Sequence, residues 1–292
     1  MKRINVAFVD FWEGFDCYEN LFVHILRKKY CVNVIEENID RENVQYLFYS
    51  VFSNNHKNYN CIKIFYTGEN ISPDMNECDY AIGFDYACFG DRYFRFPLYY
   101  MLYERSLCSM QRKTEALNET MANRKFCSMV VSNPNADPSR ELFFFLLSQY
   151  KRVDSGGRYL NNIDCLNGVP SKYEFQKNYK FSIAFENSSH PGYCTEKIVQ
   201  SFAAKTIPIY WGDPTVAEQF NEKAFVNCHK YKNWDEVVEV VKQIDQNDRQ
   251  YLDMLQQQAT DNSNIYSLRE EFERWLLYVF GQEYITAYRR KN

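Results

Sequence analysis

Between Lys180 and Trp211 the chain alternates apolar runs with polar connectors in the order strand, turn, helix, strand. Phe181, Ile183 and Phe185 recur at every second position, the period of a strand, and Glu186 ends the run. A polar turn, Asn187 to Gly192, follows. Thr195 then stands at an N-cap position ahead of Ile198, Val199, Phe202 and Ala203, a stripe that predicts a helix of about three turns. Lys205 suits the C-terminus of that helix and Pro208 prevents its continuation, so Ile207 to Trp211 reads as a second, buried strand. This is a βαβ unit whose first turn opens onto a helix N-terminus. Open α/β sheets bind ligands in such crevices, and a helix start attracts phosphate.

The rest of the chain carries similar punctuation. Ile4 to Phe11, Cys31 to Ile35, Ile62 to Tyr66, Asp79 to Phe84, Phe126 to Val131 and Ala224 to Asn227 read as strands. Tyr18 to Lys29, Ser139 to Tyr150 and Trp234 to Ile244 read as helices, while Val44 to Val51 is apolar without a decisive period. Strands alternating with helices indicate an α/β class. The polar stretch Glu104 to Arg124 reads as a linker, giving two α/β domains. Beyond Ile265, the residues Leu268, Phe272, Trp275, Leu276 and Val279 share one helical face, and the chain then ends in Tyr288, Arg289, Arg290 and Lys291. The first reading of that tail is a closing helix packed across both domains. The sharper alternative is a peripheral contact with anionic lipid.

Charge and cysteine content narrow the partners. Thirty-four Lys+Arg against 38 Asp+Glu give a net charge of −4, which argues against nucleic acid as the main partner. The ten cysteines contain no C-x-x-C pair, which excludes a common zinc module and points to free thiols in a reducing cytoplasm. MKRINVAFVDFWEG is not a signal peptide, because Asp10 breaks its apolar run, and no stretch is apolar enough to span a membrane. A cytoplasmic protein is expected, in contact with the inner membrane face if the tail binds lipid.

Glu186, Asn187, Tyr193, Glu196 and Lys197 crowd the mouth of the predicted helix, and each alone could be an ordinary capped-loop residue. Together they look like a sugar-nucleotide site. Phe185 to Ser188, Tyr193 to Ile198, and Ile207 to Gly212 also resemble the donor signature of the α-1,3-fucosyltransferases of glycosyltransferase family ten. The resemblance covers roughly residues 60 to 230. Animal members of the family carry an amino-terminal membrane anchor, and its lack here points to the bacterial type. The resemblance implies a GT-B fold, with two Rossmann-like domains facing each other across a cleft. It places an acceptor-binding domain at 1–118 and a GDP-fucose-binding domain at 119–264, followed by an amphipathic tail at 265–292. It implies inverting transfer of fucose from GDP-fucose to the 3-hydroxyl of GlcNAc in an N-acetyllactosamine glycan, giving a Lewis-type epitope. Transfer to the 4-position, dual 3/4 activity, or a catalytically silent glycan-binding relative are the alternatives.

Such chemistry needs one general base and enough positive charge to hold the departing diphosphate. The chain has no Asp-x-Asp tripeptide, so no metal or other cofactor is expected and Arg and Lys must supply the charge. Lys197 is one source. Arg140 is the other: it sits in the first turn of a predicted helix, where the macrodipole disfavours a cation, which hints at a nearby anion. In the family an arginine after the Ser-Asn-Pro-Asn segment, here Ser132 to Asn135, contacts the diphosphate. The donor-binding set is therefore Ser132, Arg140, Glu186, Asn187, Tyr193 and Lys197. Glu196 is assigned with the catalytic residues, bonding ribose or steadying charge on the fucose ring. Glu69, at the end of the strand Ile62 to Tyr66, matches the family's proposed base, with Asp85 as rival. Trp12, Asp85 and Tyr86 are the acceptor-side candidates, although several bacterial members have a Glu where Tyr86 stands. Asp91, Arg92, Tyr93 and Arg95 read as an Arg–Asp network tying a wall of the site. His190 has no fixed family counterpart and is discounted as a base.

Overall fold

The computed structural model describes residues 1–37, 39–101, 123–260 and 262–282. They form two compact α/β units, one of Met1–Met101 with Asn262–Asn292 and one of Leu102–Asp261. The expected linker and the basic end of the tail lie almost wholly outside the described residues.

In the first unit, β1 (Lys2–Val9), β2 (Tyr30–Ile35), β3 (Tyr46–Tyr49), β4 (Ile62–Tyr66), β5 (Tyr80–Gly83) and β6 (Tyr93–Arg95) make one sheet in the order β2-β1-β3-β4-β5-β6. All pairs are parallel, with Val6 against Tyr46 and Tyr46 against Ile62. The ambiguous stretch around Val44 resolves as β3. All four of its residues are buried, because a central strand covered on both faces loses the alternation that would have identified it. Helix α1 (Leu21–Arg27) starts where the Asn20 side chain accepts from the Val23 N–H.

The helix Asn262–Val279 belongs to this first unit. Phe272, Leu276 and Val279 are at most 1% exposed, and Phe272 stacks on Phe96 at 4.2 Å. The apolar face that a lipid contact would use is thus already covered by protein. Trp275 donates to the Asp91 carbonyl and Tyr278 lies 3.4 Å from its carboxylate. The expected Arg–Asp network is instead an arginine–carbonyl one. Arg92 donates to the carbonyls of Met75, Cys78 and Asp79, and Arg95 to that of Phe84. A planar fork can satisfy several strand-end carbonyls that no N–H reaches.

In the second unit, β7 (Lys125–Met129), β8 (Val153–Ser155), β9 (Tyr179–Phe185), β10 (Ile207–Trp211) and β11 (Val226–Asn227) form a parallel sheet in the order β11-β10-β9-β7-β8. Helices α2 (Ser139–Tyr150), α3 (Lys172–Gln176), α4 (Glu196–Ala203), α5 (Trp234–Asp245) and α6 (Asp248–Gln256) complete it. Phe143 of α2 stacks on Phe185 at 4.9 Å, and Trp211 and Trp234 close around the same ring. Burying a ring of that size is worth about 1.5–3 kcal/mol.

Both sheets are Rossmann-like and share one wiring. The first strand of each has its second on one side and its third on the other, so the chain reverses direction of growth between strands one and three. In the second unit this switch point lies between β7 and β9. The nine cysteines among the described residues are all free.

Candidate active site

The loops leaving β7 and β9 flank that switch point. They are the segments Ser132 to Asn135 and Glu186 to Thr195, so the two halves of the sequence signature meet where a doubly wound sheet presents its ligand crevice. Arg140 joins them. The residue is 2% exposed, and its guanidinium donates from Nη1 to Asn187 Oδ1 at 3.0 Å and from Nη2 to the Asn133 carbonyl. Burial lowers its pKa from the ordinary guanidinium value, with Tyr159, Glu141 and Glu186 opposing. It is therefore no solvent-facing charge. The cation that the macrodipole disfavours in the first turn of α2 is held by the two loops.

Glu186 is the other organiser. It is 0% exposed, and its carboxylate accepts from Thr195 N at 2.8 Å, from Thr195 Oγ1 at 2.6 Å and from Lys197 Nζ at 2.8 Å. Lys197 also donates to Thr195 Oγ1 at 2.9 Å, and Glu196 Oε1 lies 3.9 Å from its Nζ. This departs from expectation in two respects. Thr195 occupies the N-cap position of α4 but makes no cap bond, because its hydroxyl is turned to Glu186. The Lys197 ammonium, expected to be free for an anion, has its charge matched by Glu186. Burial by itself would lower the Lys197 pKa; Glu186 and then Glu196 outweigh it and raise it above the ordinary value, so the ammonium stays charged.

Gly212 explains the end of the Ile207 to Gly212 signature. A Cβ there would run into the side chain of Glu186. Its backbone is pinned on both sides, its N–H donating to His229 Nε2 at 3.2 Å and its carbonyl accepting from Ser189 Oγ at 2.7 Å. Asp213 accepts from Gly192 N at 2.8 Å, which ties the same strand end to the turn before Tyr193. Tyr193 is 2% exposed, and the exposed Ser132 accepts from Arg158 N at 3.4 Å.

Glu196 is 24% exposed. Burial raises its carboxyl, but Lys197 and Lys172 prevail and hold it at about 2. A carboxyl so depressed stabilises the fold above its ordinary value of 4.5, and loses that contribution as pH falls toward about 2. The stability difference between wild type and Glu196→Gln, measured by urea unfolding, is therefore expected to be constant above about pH 5 and to shrink below it. A difference that stays level down to pH 2.5, roughly the end of that window, contradicts the assignment. Lys172, which completes this cluster from α3, was not singled out by the sequence.

In the first unit, the remaining candidates sit past the carboxyl ends of parallel strands, along one edge of the sheet. Trp12 follows β1 and is 39% exposed, and its ring meets that of Phe15 at 5.0 Å. Glu69 follows β4. Its N–H donates to Thr67 Oγ1 and its carbonyl accepts from Ile71 N, while its half-buried carboxylate has no hydrogen bond or ion pair among the described residues. Asp85 follows the neighbouring β5 and accepts from Ser72 Oγ at 3.1 Å. Tyr86 is 52% exposed, with the Arg95 guanidinium 4.2 Å from its ring centre.

Residues 6–103 match the alpha-(1,3)-fucosyltransferase FucT N-terminal domain, and residues 120–275 the glycosyltransferase family 10 (fucosyltransferase) C-terminal domain. An alpha-(1,3)-fucosyltransferase of Helicobacter pylori is 40% identical over 226 residues, 67% of this chain and 47% of the relative. A Bos taurus 3-galactosyl-N-acetylglucosaminide 4-alpha-L-fucosyltransferase is 32% identical over 149 residues, 50% of this chain and 40% of the relative. The chain thus spans about half the length of the bacterial relative. A crystal structure of an alpha1,3-fucosyltransferase superposes with a TM-score of 0.80 at 32% identity, covering 94% of this chain and 90% of the other. One with GDP-fucose gives 0.79 at 31% identity, covering 100% and 93%.

Proposed function

The chain belongs to glycosyltransferase family 10, the fucosyltransferases, and on that premise we propose that it transfers L-fucose from GDP-fucose, with inversion, to the 3-hydroxyl of GlcNAc in N-acetyllactosamine-type glycans. The observation that carries the donor half is Arg140 bridging the two switch-point loops beside the Glu186–Lys197 pair. The relative solved with GDP-fucose, matched over its whole fold, supports the same donor.

In this reading the second unit holds the nucleotide. The guanidinium of Arg140, the Lys197 ammonium and the N-terminal N–H groups of α4 face the diphosphate. They stabilise the charge that grows on it as the glycosidic bond breaks, so the leaving group needs no proton. Asn187, oriented by Arg140, and Tyr193 and Ser132 line the donor. Glu196, ionised down to about pH 2, supplies a carboxylate to the ribose or to the developing charge on the fucose ring. Glu69 takes the proton from the acceptor hydroxyl as it attacks C1 from the face opposite the departing GDP. Trp12 and Tyr86 offer aromatic faces, and Asp85 a carboxylate, to the acceptor sugar. Fixed side-chain cations supply the charge that a metal supplies in other sugar-nucleotide enzymes.

A second reading, transfer to the 4-hydroxyl of type 1 chains, draws on the bovine relative, which is by name a 4-alpha-L-fucosyltransferase. Incubating the protein with GDP-fucose and type 1 or type 2 disaccharides in EDTA, with the linkage determined by NMR, tests both. An α-1,3 product on type 2 is expected. No product on either, or activity recovered only with added manganese, overturns the proposal.

Arg140→Ala is expected to weaken GDP binding by about 1.5–3 kcal/mol, the value of a charged hydrogen bond. Lysine there should fail as well, since a single ammonium cannot span Asn187 and the Asn133 carbonyl as a planar fork does. Calorimetric titration of GDP that is unchanged in either variant removes Arg140 from the donor site.

A further inference from the structure

We propose that Lys172 is a third cation of the donor site, whose ammonium takes an oxygen of the nucleoside diphosphate from α3. The proposal rests on the fucosyl-transfer reading above. Helix α3 lies in the connection from the carboxyl end of β8 to the start of β9, and Val169, three residues before it, donates to the Gly156 carbonyl just past β8. The two short helices pack on each other, and Lys172 is the first residue of its helix as Glu196 is of the other. The charged groups facing Lys172 are Glu196, Lys197 and Glu186, all of them on the donor loop or at the start of α4.

The side chain is half-buried, yet among the described residues its ammonium makes no ion pair or hydrogen bond. Two other lysines of this unit with little exposure are engaged. Lys180 lies 3.4 Å from both Asp245 and Asp248, and Lys197 lies 2.8 Å from Glu186. Burying an ammonium without a partner is costly, and such a group is retained where a ligand completes it.

The charge balance makes the same point. Arg140 and Lys197 face Glu141, Glu186 and Glu196, two cations against three carboxylates, so these alone leave nothing over for a dianion. Lys197 already commits two N–H donors to Glu186 and Thr195, and the Arg140 fork holds two loops. Lys172 brings these groups to neutrality, three cations against three carboxylates. Burial lowers its pKa from the ordinary lysine value and Lys197 lowers it further, against the pull of Glu196 and Glu186. A bound diphosphate would reverse that.

The test is calorimetric titration of GDP and of guanosine into wild type, Lys172→Gln and Lys172→Arg, with circular dichroism to confirm folding. Lys172→Gln is expected to lose ~10- to 100-fold in GDP affinity, the value of one charged hydrogen bond, with guanosine binding unchanged. Lys172→Arg should retain GDP binding within about fivefold, since charge and donors remain. Wild-type affinity for GDP should fall as pH rises through the alkaline range, while that of Lys172→Arg stays level, because a guanidinium does not titrate there. Unchanged GDP affinity in Lys172→Gln, equal losses for GDP and guanosine, or the same alkaline fall in wild type and Lys172→Arg would each overturn the assignment. A wild type that binds no GDP at all would refute the donor reading itself, and Lys172 with it.

Discussion

Glu69→Ala is expected to lower turnover ~10²- to 10⁴-fold while GDP affinity holds within about twofold, the signature of a lost general base. The backbone around Glu69 is fixed: its N–H is bonded to Thr67 Oγ1, Ile71 N closes a turn onto its carbonyl, and a Cβ on Gly68 would press on Leu98. Its carboxylate is left without a bonded partner among the described residues, which is what a base needs if its lone pairs are to meet an incoming hydroxyl. Asp85, one strand away, is the rival, and it already accepts from Ser72. Single-turnover rates with saturating GDP-fucose separate the two. If Asp85→Ala abolishes transfer and Glu69→Ala does not, the base has been assigned to the wrong strand end. Glu69→Gln sharpens the comparison, since it keeps the shape and removes only the proton acceptor.

How far this could be read from residues alone depends on where each interaction closes. β4, β10 and α2 have the bounds the pattern predicts, because their apolar runs end in turn or charge signals close by in sequence. β6 and β8 are three residues each, too short to show a period, and α6 buries only Tyr251 and Leu255 from a polar segment. The cluster from Glu186 to Lys197 is legible in sequence, but which of its members hold one another is not. Glu186 reads in sequence as one more ligand of the sugar nucleotide, and only the structure shows its carboxylate surrounded by Thr195 and Lys197. Thr195 carried a cap signal that a stronger acceptor overrides. Lys172 is separated from Glu196 by a helix, a strand and a turn, and nothing local marks it. Arg140 is the instructive contrast. Its conflict with the helix macrodipole is visible in sequence, and the structure shows that residue bridging the two switch-point loops.

Glu186→Ala is expected to destabilise the second unit by about 3–5 kcal/mol, the cost of stranding one partner of a buried ion pair. The carboxylate is fully enclosed, and the Lys197 side chain is only 15% exposed, so water cannot replace the lost bonds. Thr195 loses the acceptor for both its N–H and its hydroxyl, and the start of α4 loses its anchor to β9. The sign with pH follows from the raised Lys197 pKa. That stabilisation is complete below the ordinary lysine value and fades only as pH rises through the higher folded value, so the deficit of Glu186→Ala should be flat from neutrality to mildly alkaline pH. Adding Lys197→Met should restore much of the stability, since a buried pair replaced on both sides by apolar groups is often neutral. The double variant should nevertheless not bind GDP. Urea unfolding of the two single variants and the double gives the coupling directly. A loss below about 1 kcal/mol for Glu186→Ala, or no recovery in the double, would mean that the pair does not hold the loop after β9 together.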